Sequence, residues 1–336
     1  MKRRPSSVDA LNPAVHPGDV VRIEAGRVAH RRDVAAREEP LEIRFGGSPF
    51  VVIMRTPGSD RELAAGFLLS ERIITHVGHI ASIQHCTDTE ARDPLDDEAR
   101  TFSASAEVGS RSDPTGSAGR AVRFRGSPPA RPRHSSPEAS DGGTVRDGNV
   151  LNVWLTGDAA TRAAGALAHR RAVTANSSCG VCGRRSIDDL LCNVQRLESA
   201  WTLSPGVIAG MPATLRAAQA TFDETGGLHA AGVFDRDGVL AASAEDVGRH
   251  NAVDKVIGRE LLLDRIPLSD RVLFVSGRTS FELVQKAVVA GIPVVAAVSA
   301  PSSLAIELAR DANVTLLGFV RGDACNIYSG AHRIQV

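Results

Sequence analysis

The stretch VLFVSGRTSFELVQKAVVAGIPVVAAV, residues 272–298, decides the fold of this chain. It contains two apolar runs, Val272–Val275 and Pro293–Val298, whose β-branched residues are typical of buried strands in a mainly parallel sheet. Between them, Thr279 and Glu282 have the spacing of a capping box at a helix start, and a glycine follows the last turn. The stretch therefore predicts a strand–helix–strand unit.

The same alternation continues on both sides of this unit. Upstream, Leu228–Phe234 and Val239–Ser243 predict two strands joined by a tight turn, and Asn251–Leu263 has the periodicity of a helix. Downstream, Pro301 suits the first turn of another helix, and Val314–Val320 predicts the last long strand. This order predicts an α/β domain in which helices cover a layered, mixed sheet.

The chain before this domain is less regular. The runs Leu41–Phe45 and Phe50–Met54 flank a pair of glycines and predict a hairpin. Other stretches have too few large apolar residues to offset the entropy of ordering them. The predicted organisation is a disordered tail at 1–38, a smaller β-rich domain at 39–165 with a disordered insertion at 92–148, a connecting segment at 166–205, and the α/β domain at 206–336.

Composition limits the possible functions. The 336 residues include 39 Lys and Arg and 39 Asp and Glu, so the formal net charge is zero, which argues against a general nucleic-acid binder. No apolar run reaches the ~18 residues of a membrane span, and no apolar secretory segment follows the basic start, so we expect a cytoplasmic protein. Five cysteines are an odd count, which favours thiol chemistry or buried cysteines over a disulfide framework.

The sharpest local motif is a pair of thiols. Cys179 and Cys182 lie three residues apart, between glycines that allow close approach of another molecule. Arg184 and Arg185 follow directly, and their charge is expected to lower the pKa of a nearby thiol and to favour the thiolate, which is the nucleophile.

Three functions compete for this pair. A zinc site needs four ligands, and the chain has no second paired motif to supply the other two. A thioredoxin-like redox pair normally follows a strand at a helix start, and residues 164–174 do not form an obvious buried strand. A loop that carries sulfur as a persulfide fits the glycines and the adjacent arginines best.

Polar residues also lie at the ends of several predicted strands. Glu245–Lys255 is unusually rich in them, His229 begins a strand, Ser276–Arg278 follows a buried strand, and Phe319–Ala324 ends the last one. Helix caps and tight turns would explain any one of these segments. Two of the segments, Ser276–Arg278 and Phe319–Ala324, lie at the carboxyl ends of strands, where α/β sheets bind ligands. Helix N-termini and arginines bind anions, so the sequence predicts a ligand site there.

These motifs together resemble one known family, the formate dehydrogenase accessory sulfurtransferases (FdhD). The resemblance rests on CGVCG at 179–183, TGGLHAA at 225–231, EDVGRHNAVDK at 245–255, SGR at 276–278 and GFVRG at 318–322, with RTP at 55–57 and GFLLSE at 66–71. It covers roughly residues 41–90 and 149 to the end. Two features depart from the family pattern: Arg72, where a glycine is usual, and the insertion at 92–148.

The resemblance implies a function for the thiols. Proteins of this family take persulfide sulfur from a cysteine desulfurase and transfer it to the bis-guanine-dinucleotide molybdenum cofactor that formate dehydrogenase requires. Cys179 would carry the persulfide and Cys182 would be its partner. The resemblance also implies a cytidine-deaminase-like fold for the α/β domain, a homodimer, and no tightly bound metal of the protein's own.

The resemblance also places the cofactor. It implies that the family's binding stretch falls on the last strand, and the other strand-end residues are candidates to line the same site. The full set of predicted cofactor-binding residues is Phe319, Val320, Arg321, Gly322, Asp323, Ala324, Ser276, Arg278, His229, Asp246 and His250.

Two rival functions follow from the same residues. Hydrolytic deamination needs a His-x-Glu motif and a later cysteine pair to hold zinc; here alanines follow His229, and the cysteines precede it. The other rival is a chaperone that binds and shields the cofactor without transferring sulfur. The second rival stays open, because it requires the same binding residues and differs only in the role of Cys179.

Overall fold

Twelve strands and seven α-helices are formed by the residues that the computed structural model describes, which are 12–86, 148–170 and 196–335. The strands are β1 (Val15–Glu24), β2 (Arg27–Ala36), β3 (Glu39–Phe45), β4 (Ser48–Arg55), β5 (Ile80–His85), β6 (Val150–Leu155), β7 (His229–Phe234), β8 (Leu240–Asp246), β9 (Val272–Val275), β10 (Val294–Ala297), β11 (Thr315–Arg321) and β12 (Ala324–Ser329). The helices are α1 (Asp60–Ser70), α2 (Asp158–Arg170), α3 (Pro205–Ala217), α4 (Ala220–Thr225), α5 (Arg249–Leu262), α6 (Phe281–Val289) and α7 (Ser303–Asp311).

A six-stranded mixed sheet contains the stretch that decides the fold. Its strand order is β12-β11-β10-β9-β7-β8. Strands β9, β10 and β11 are parallel, while β7 is antiparallel to both β8 and β9, and β12 is antiparallel to β11. The predicted strand–helix–strand unit is confirmed, because α6 connects β9 to the parallel strand β10.

A second sheet has four strands in the order β4-β3-β6-β5. Strands β3 and β4 form the predicted antiparallel hairpin, and β6 pairs with β3 in parallel and with β5 antiparallel. Residues 87–147 separate β5 from β6 and include nearly all of the predicted insertion; they lie outside the described residues. The chain on either side of them therefore belongs to one sheet.

Helices α1 and α5 cross between these two sheets at unusually short range. A Cβ atom built on Gly66 of α1 would lie 1.9 Å from the carbonyl oxygen of Asp254, and one built on Gly258 of α5 would lie 1.9 Å from that of Glu62. Only glycine permits such an approach of two backbones. One hydrophobic cluster accordingly contains residues of both sheets and of both helices.

The six-stranded sheet is apolar on both faces. One face joins the cluster around α1, α5, α6 and α7. The other face, with Phe234 and Phe274, packs against Ile208, Met211 and Leu215 of α3. Burial on both faces explains why β9 and β10 are continuous apolar runs rather than alternating ones.

The prediction of a disordered tail at 1–38 is wrong for most of its length. Residues 15–36 form the antiparallel pair β1 and β2, which forms a separate two-stranded sheet. The turn residues Ala25 and Gly26 have φ angles of 49° and 78°, the left-handed values that a tight hairpin turn requires. The many arginines concealed an alternation that places Val21, Ile23 and Val28 on one side of the ribbon.

Helices α6 and α7 begin at other residues than the sequence motifs predicted. Helix α6 begins at Phe281 with Ser280 as N-cap, not Thr279. Helix α7 begins two residues after Pro301, and the Ser302 hydroxyl accepts a hydrogen bond from the Ala305 N–H. Thr279 does not cap α6 because its backbone is paired elsewhere: its N–H donates to the Ala300 carbonyl at 3.2 Å, which joins the loop after β9 to the loop after β10.

None of the described helices is both long and apolar enough to cross a bilayer.

The helix crossing makes a stability prediction. The substitution Gly258→Ala should lower the free energy of unfolding by about 3 kcal/mol or more, because the new methyl group meets backbone that cannot move without separating α1 from α5. Urea denaturation of the full chain measures the change. Gly210→Ala in α3 is the matched control, since no atom lies within 4 Å of the added Cβ. Alanine there should be neutral or stabilising by up to about 1 kcal/mol, and equal effects of the two substitutions would contradict the role of the crossing.

Candidate functional site

The predicted sulfur carrier is the thiol pair of the glycine-bracketed motif. Cys179 and Cys182 lie outside the described residues, as do Arg184 and Arg185. Two described cysteines, Cys86 and Cys325, are half-buried free thiols. Burial raises the pKa of the Cys325 thiol, which disfavours its nucleophilic thiolate form. The structure therefore describes the predicted cofactor site without the predicted carrier.

The strand-end segments do meet at one edge of the six-stranded sheet. The loops after β9 and β10 are tied together, because the Ser302 N–H donates to the Thr279 carbonyl at 2.9 Å. The Phe319 N–H donates to the Ser299 carbonyl at 3.2 Å, which joins β11 to the same group. Parallel strands end on the same side of a sheet, so the chain places residues 276–280, 299–302 and 319–324 next to one another.

The stretch Phe319–Ala324 contains the end of β11, the turn at residues 322–323 and the start of β12, and its residues differ in role. Val320 is buried in the core, whereas Arg321, Gly322, Asp323 and Ala324 are exposed. Phe319 is 40% exposed and has a φ angle of 53°, which is rare and costly for a bulky residue and is found preferentially at functional sites. The end of β11 and the turn after it thus present an aromatic ring, a cation and a carboxylate at the sheet edge.

His229 and Ser276 are neighbours across the β7–β9 pair. The Ala230 N–H donates to the Ser276 hydroxyl at 2.8 Å, and the Ser276 N–H donates to the Ala230 carbonyl at 2.9 Å. A Cβ on Gly277 would lie 3.3 Å from Nδ1 of His229, so the glycine allows the imidazole to lie against the loop. Arg278, the next residue, is exposed.

His250 lies close to Glu282 and Ser280, but the three do not form a nucleophilic triad. Nε2 of His250 is 3.2 Å from the Ser280 hydroxyl and 3.7 Å from a Glu282 carboxylate oxygen. A triad needs the hydroxyl and the carboxylate on different ring nitrogens, and here both face the same one. Burial, followed by the charges of Arg249 and His250, lowers the pKa of the nearby His229 and so favours the neutral form of that imidazole.

Asp246 has a different role from the one predicted. Its side chain is 0% exposed and forms an ion pair of 2.7 Å with Lys255. The N–H groups of Thr56 and Gly248 donate to its carboxylate at 3.1 and 2.8 Å, and the Asn251 amide donates at 2.9 Å. A buried charge needs such partners. Asp246 therefore lies behind the site and holds the N-terminal turn of α5, which carries Arg249 and His250.

A cavity of ≈ 670 Å³ opens beside this edge, between α3, α4 and the sheet. His229 and Ser276 line it with Phe222, and with residues that the sequence did not single out as site residues, chiefly Arg216, Gln219 and Phe274. These last three are not part of any polar cluster or glycine motif, so the sequence pattern carried no signal for them. Among residues 12–86, 148–170 and 196–335, no group of three or more His, Cys, Asp or Glu is arranged to hold a metal ion.

The comparisons with known proteins agree on one family. The model of the FdhD/NarQ family matches residues 36–127 and 136–335. Most of the predicted insertion at 92–148 lies within these matched residues, so the expectation that it departs from the family pattern is wrong for that part.

Several curated relatives are named "Sulfur carrier protein FdhD". The protein from Nocardia farcinica is 42% identical over 318 residues, which cover 94% of this chain and 93% of the relative. That from Streptomyces avermitilis is 41% identical over 325 residues, with 94% of each chain covered. That from Mycobacterium tuberculosis is 41% identical over 315 residues, with 93% and 95% covered.

A crystal structure from Desulfotalea psychrophila, assigned as a formate dehydrogenase accessory protein, has the same fold. It superposes with a TM-score of 0.63, covers 96% of this chain and 100% of its own, and is 20% identical in sequence. At that identity the likeness shows the fold alone. It supports the mixed α/β architecture described above.

Asp246 generates a stability prediction. Asp246→Asn should destabilise the protein by about 3–5 kcal/mol, because the Lys255 ammonium would stay buried without its counter-ion. Chemical denaturation near neutral pH measures this loss. Glu24→Gln, which removes an exposed partner of Arg22, is the control and should change the stability by less than about 1 kcal/mol. A small effect of Asp246→Asn would show that the carboxylate does not hold α5.

Glu282 generates a pH prediction. The neighbouring His250 side chain lowers the pKa of Glu282 from 4.5 to about 2 against the opposing effect of burial. The unfolded chain binds this proton at higher pH than the folded chain does, so the stabilisation is present above about pH 4.5 and is lost as the pH falls towards 2. We expect Glu282→Gln to lose stability relative to the wild-type protein near pH 6 and to converge with it near pH 2–3. Urea midpoints measured across that range test this, and a difference that does not depend on pH would contradict it.

Proposed function

This chain belongs to the FdhD/NarQ family, and we propose that it is a sulfur carrier that takes persulfide sulfur from a cysteine desulfurase and transfers it to the bis-guanine-dinucleotide molybdenum cofactor of formate dehydrogenase. The observation that carries the proposal is the set of relatives named as sulfur carriers, 41–42% identical over 93–94% of this chain. The presence of the thiol motif in this chain agrees with that name.

The first half of the proposed reaction is a transfer between thiols. The Cys179 thiolate attacks the outer sulfur of the donor's cysteine persulfide, so that a new S–S bond forms on Cys179 and the donor cysteine leaves as a thiolate. No electrons are gained or lost overall. Arg184 and Arg185 support this step, because cationic neighbours favour the thiolate of Cys179. The activity would be that of a sulfurtransferase.

The second half delivers the sulfur. Attack of the Cys182 thiolate on the inner sulfur of the Cys179 persulfide would release hydrosulfide to the cofactor and leave a Cys179–Cys182 disulfide, which a cellular dithiol would reduce. Cys182 then supplies the two electrons that convert the carried sulfur into sulfide. The position of Cys182, three residues after Cys179, suits formation of that disulfide.

The acceptor would bind at the edge of the six-stranded sheet. Arg278 is exposed there on the loop that follows β9, and Arg321 is exposed at the end of β11. Guanidinium groups bind phosphate oxygens as bidentate donors, and the cofactor carries pyrophosphate groups for both to engage. The neutral imidazole of His229 and the Ser276 hydroxyl add uncharged hydrogen-bonding groups at the same edge.

Further features are part of the same proposal. The six-stranded sheet would be of the cytidine-deaminase type, a suggestion supported by its mixed strand directions. The protein would act in the cytoplasm as a homodimer, with formate dehydrogenase as its client and without a metal of its own. Light scattering of the purified full chain measures the oligomeric state.

The alternative is a chaperone that binds the cofactor without transferring sulfur. It requires the sheet-edge residues but not the thiols. The name shared by the relatives favours the carrier.

The carrier and the chaperone differ in the effect expected when the Cys179 thiol is removed. Cys179→Ala should abolish the restoration of formate dehydrogenase activity in cells that lack this protein, because the carrier then has no atom on which to hold sulfur. Cys86→Ala, which removes a half-buried thiol, is the control and should restore activity in full. Activity in cell extracts is the measurement.

Mass spectrometry gives an independent readout. After incubation with a cysteine desulfurase and cysteine, the wild-type protein should gain one sulfur atom that reduction removes, and Cys179→Ala should not. If Cys179→Ala restored activity, sulfur transfer through Cys179 would be excluded and the chaperone function favoured.

A further inference from the structure

The first turns of α5 and α6 meet at the sheet edge and bring together side chains that the transfer between thiols does not use. His250 lies in the first turn of α5, while Ser280 and Glu282 begin α6. Nε2 of His250 is 3.2 Å from the Ser280 hydroxyl and 3.7 Å from a Glu282 carboxylate oxygen. The His250 side chain is 15% exposed, so a bound molecule can reach the imidazole.

The contacts of His250 distinguish its two ring nitrogens. Both contacts within the described parts of the chain are made by Nε2, and Nδ1 takes part in neither. The neighbouring His250 side chain lowers the pKa of Glu282 to about 2, so that carboxylate is ionised at neutral pH and attracts the Nε2 side of the ring. An imidazole oriented in this way can exchange a proton through its other nitrogen, as histidines do in general acid–base catalysis.

Two buried polar atoms flank the contact between His250 and Ser280. They are Oγ1 of Thr279, whose side chain is 1% exposed, and Nε of Arg249. Neither atom has a hydrogen-bond partner among residues 12–86, 148–170 and 196–335. A buried polar atom without a partner costs free energy. Both atoms belong to residues that directly precede the pair, which indicates that a ligand binds where α5 and α6 begin.

The charged groups around the imidazole come from four elements. Arg249 lies on α5 itself, Glu282 on α6, His229 on β7 and Asp246 at the end of β8. Asp246 is neutralised by its buried ion pair, and the lowered pKa of His229 favours its uncharged form. Arg249 and Glu282 have opposite charges, so neither sign dominates beside His250. Such surroundings suit a group whose own charge changes during a reaction.

We infer that His250 is the acid of the sulfur-delivery step, and that its Nδ1 donates a proton to the oxygen ligand that leaves the molybdenum as sulfide binds. This assignment rests on the proposed function, which supplies the molybdenum cofactor as the acceptor. The incoming hydrosulfide brings one proton and the protonated imidazole brings the second. The oxygen leaves as water, sulfide takes its place on the metal, and the imidazole becomes neutral. No electrons are transferred, and solvent returns the proton to Nδ1.

Other titratable groups near this edge are less suited to the task. Burial lowers the pKa of His229, which disfavours the protonated form that an acid needs. Asp246 and Asp254 are buried in ion pairs with lysines. Burial raises the pKa of the Cys325 thiol. His250 combines partial exposure, an ionised neighbour on one nitrogen and a second nitrogen outside its contacts with α6.

The test measures the activation of formate dehydrogenase in extracts of cells that lack this protein. Full-length protein is loaded with persulfide by a cysteine desulfurase and added with a dithiol, and the rate at which formate oxidation appears is recorded. His250→Gln keeps a polar side chain but cannot donate the proton, so it should slow activation about 100-fold or more. His332→Gln, at an exposed position, is the control and should activate like the wild-type protein.

Two further measurements distinguish proton donation from a structural role. His250→Gly should regain at least about 10-fold of the lost rate when imidazole is added, because the added molecule supplies the same acid. The ratio of the wild-type rate to the His250→Gln rate should fall as the pH rises from about 5 to 8, the range in which histidines lose their proton. A side chain that only supported the fold would give neither result.

The persulfide assay separates this step from the function on which it rests. A His250→Gln protein that gains sulfur normally by mass spectrometry but activates slowly supports both. A wild-type protein that gains no sulfur would overturn the proposed function and the role of His250 with it. Normal activation by a folded His250→Gln protein, or no effect of imidazole on His250→Gly, would overturn the role of His250 alone.

Thermal unfolding shows whether each variant is folded. If His250→Gln is not, Glu282→Gln decides in its place, because it removes the ionised neighbour that orients the imidazole. Loss of an orienting carboxylate should slow activation about 10-fold or more while sulfur uptake stays normal. An unchanged activation rate in this variant would contradict proton donation by an oriented His250.

Discussion

The crossing of α1 and α5 is the constraint on which the rest of the structure depends. At Gly66 and Gly258 the two backbones approach so closely that no side chain fits between them. This contact brings the four-stranded sheet and the six-stranded sheet into one hydrophobic cluster. It also fixes α5, whose first turn carries Arg249 and His250 to the sheet edge. The shape of the candidate site is therefore set by a contact further along the same helix.

Buried ion pairs complete what the glycine contact begins. Lys255 of α5 reaches Asp246 and the carbonyl of Thr56, and Lys286 of α6 binds Asp254 at 2.7 Å. The Lys255 contact with the Thr56 carbonyl joins α5 to a segment distant in the sequence, and the Lys286–Asp254 pair joins α6 to α5. Burying charges costs free energy, so such pairs are weak evidence for stability. These pairs instead fix the position of the helices. An apolar core would allow a helix to shift, whereas these hydrogen bonds form in only one helix position.

The parts of the fold that were predictable are those with a strong local pattern. Strands β9 and β10 lie between covered faces, so their sequences are continuous apolar runs that flank a helix. The hairpin β1–β2 was not predicted because most of its side chains are exposed. Charged residues therefore dominate its sequence, and the alternation of apolar and polar residues that indicates a strand is weak. At the site, the polar motif at residues 245–255 indicated the right segment of the chain but not where each side chain points. Asp246, for example, points into the core. Gln219 lines the cavity but carried no signal in the sequence, because it belongs to no polar cluster or glycine motif.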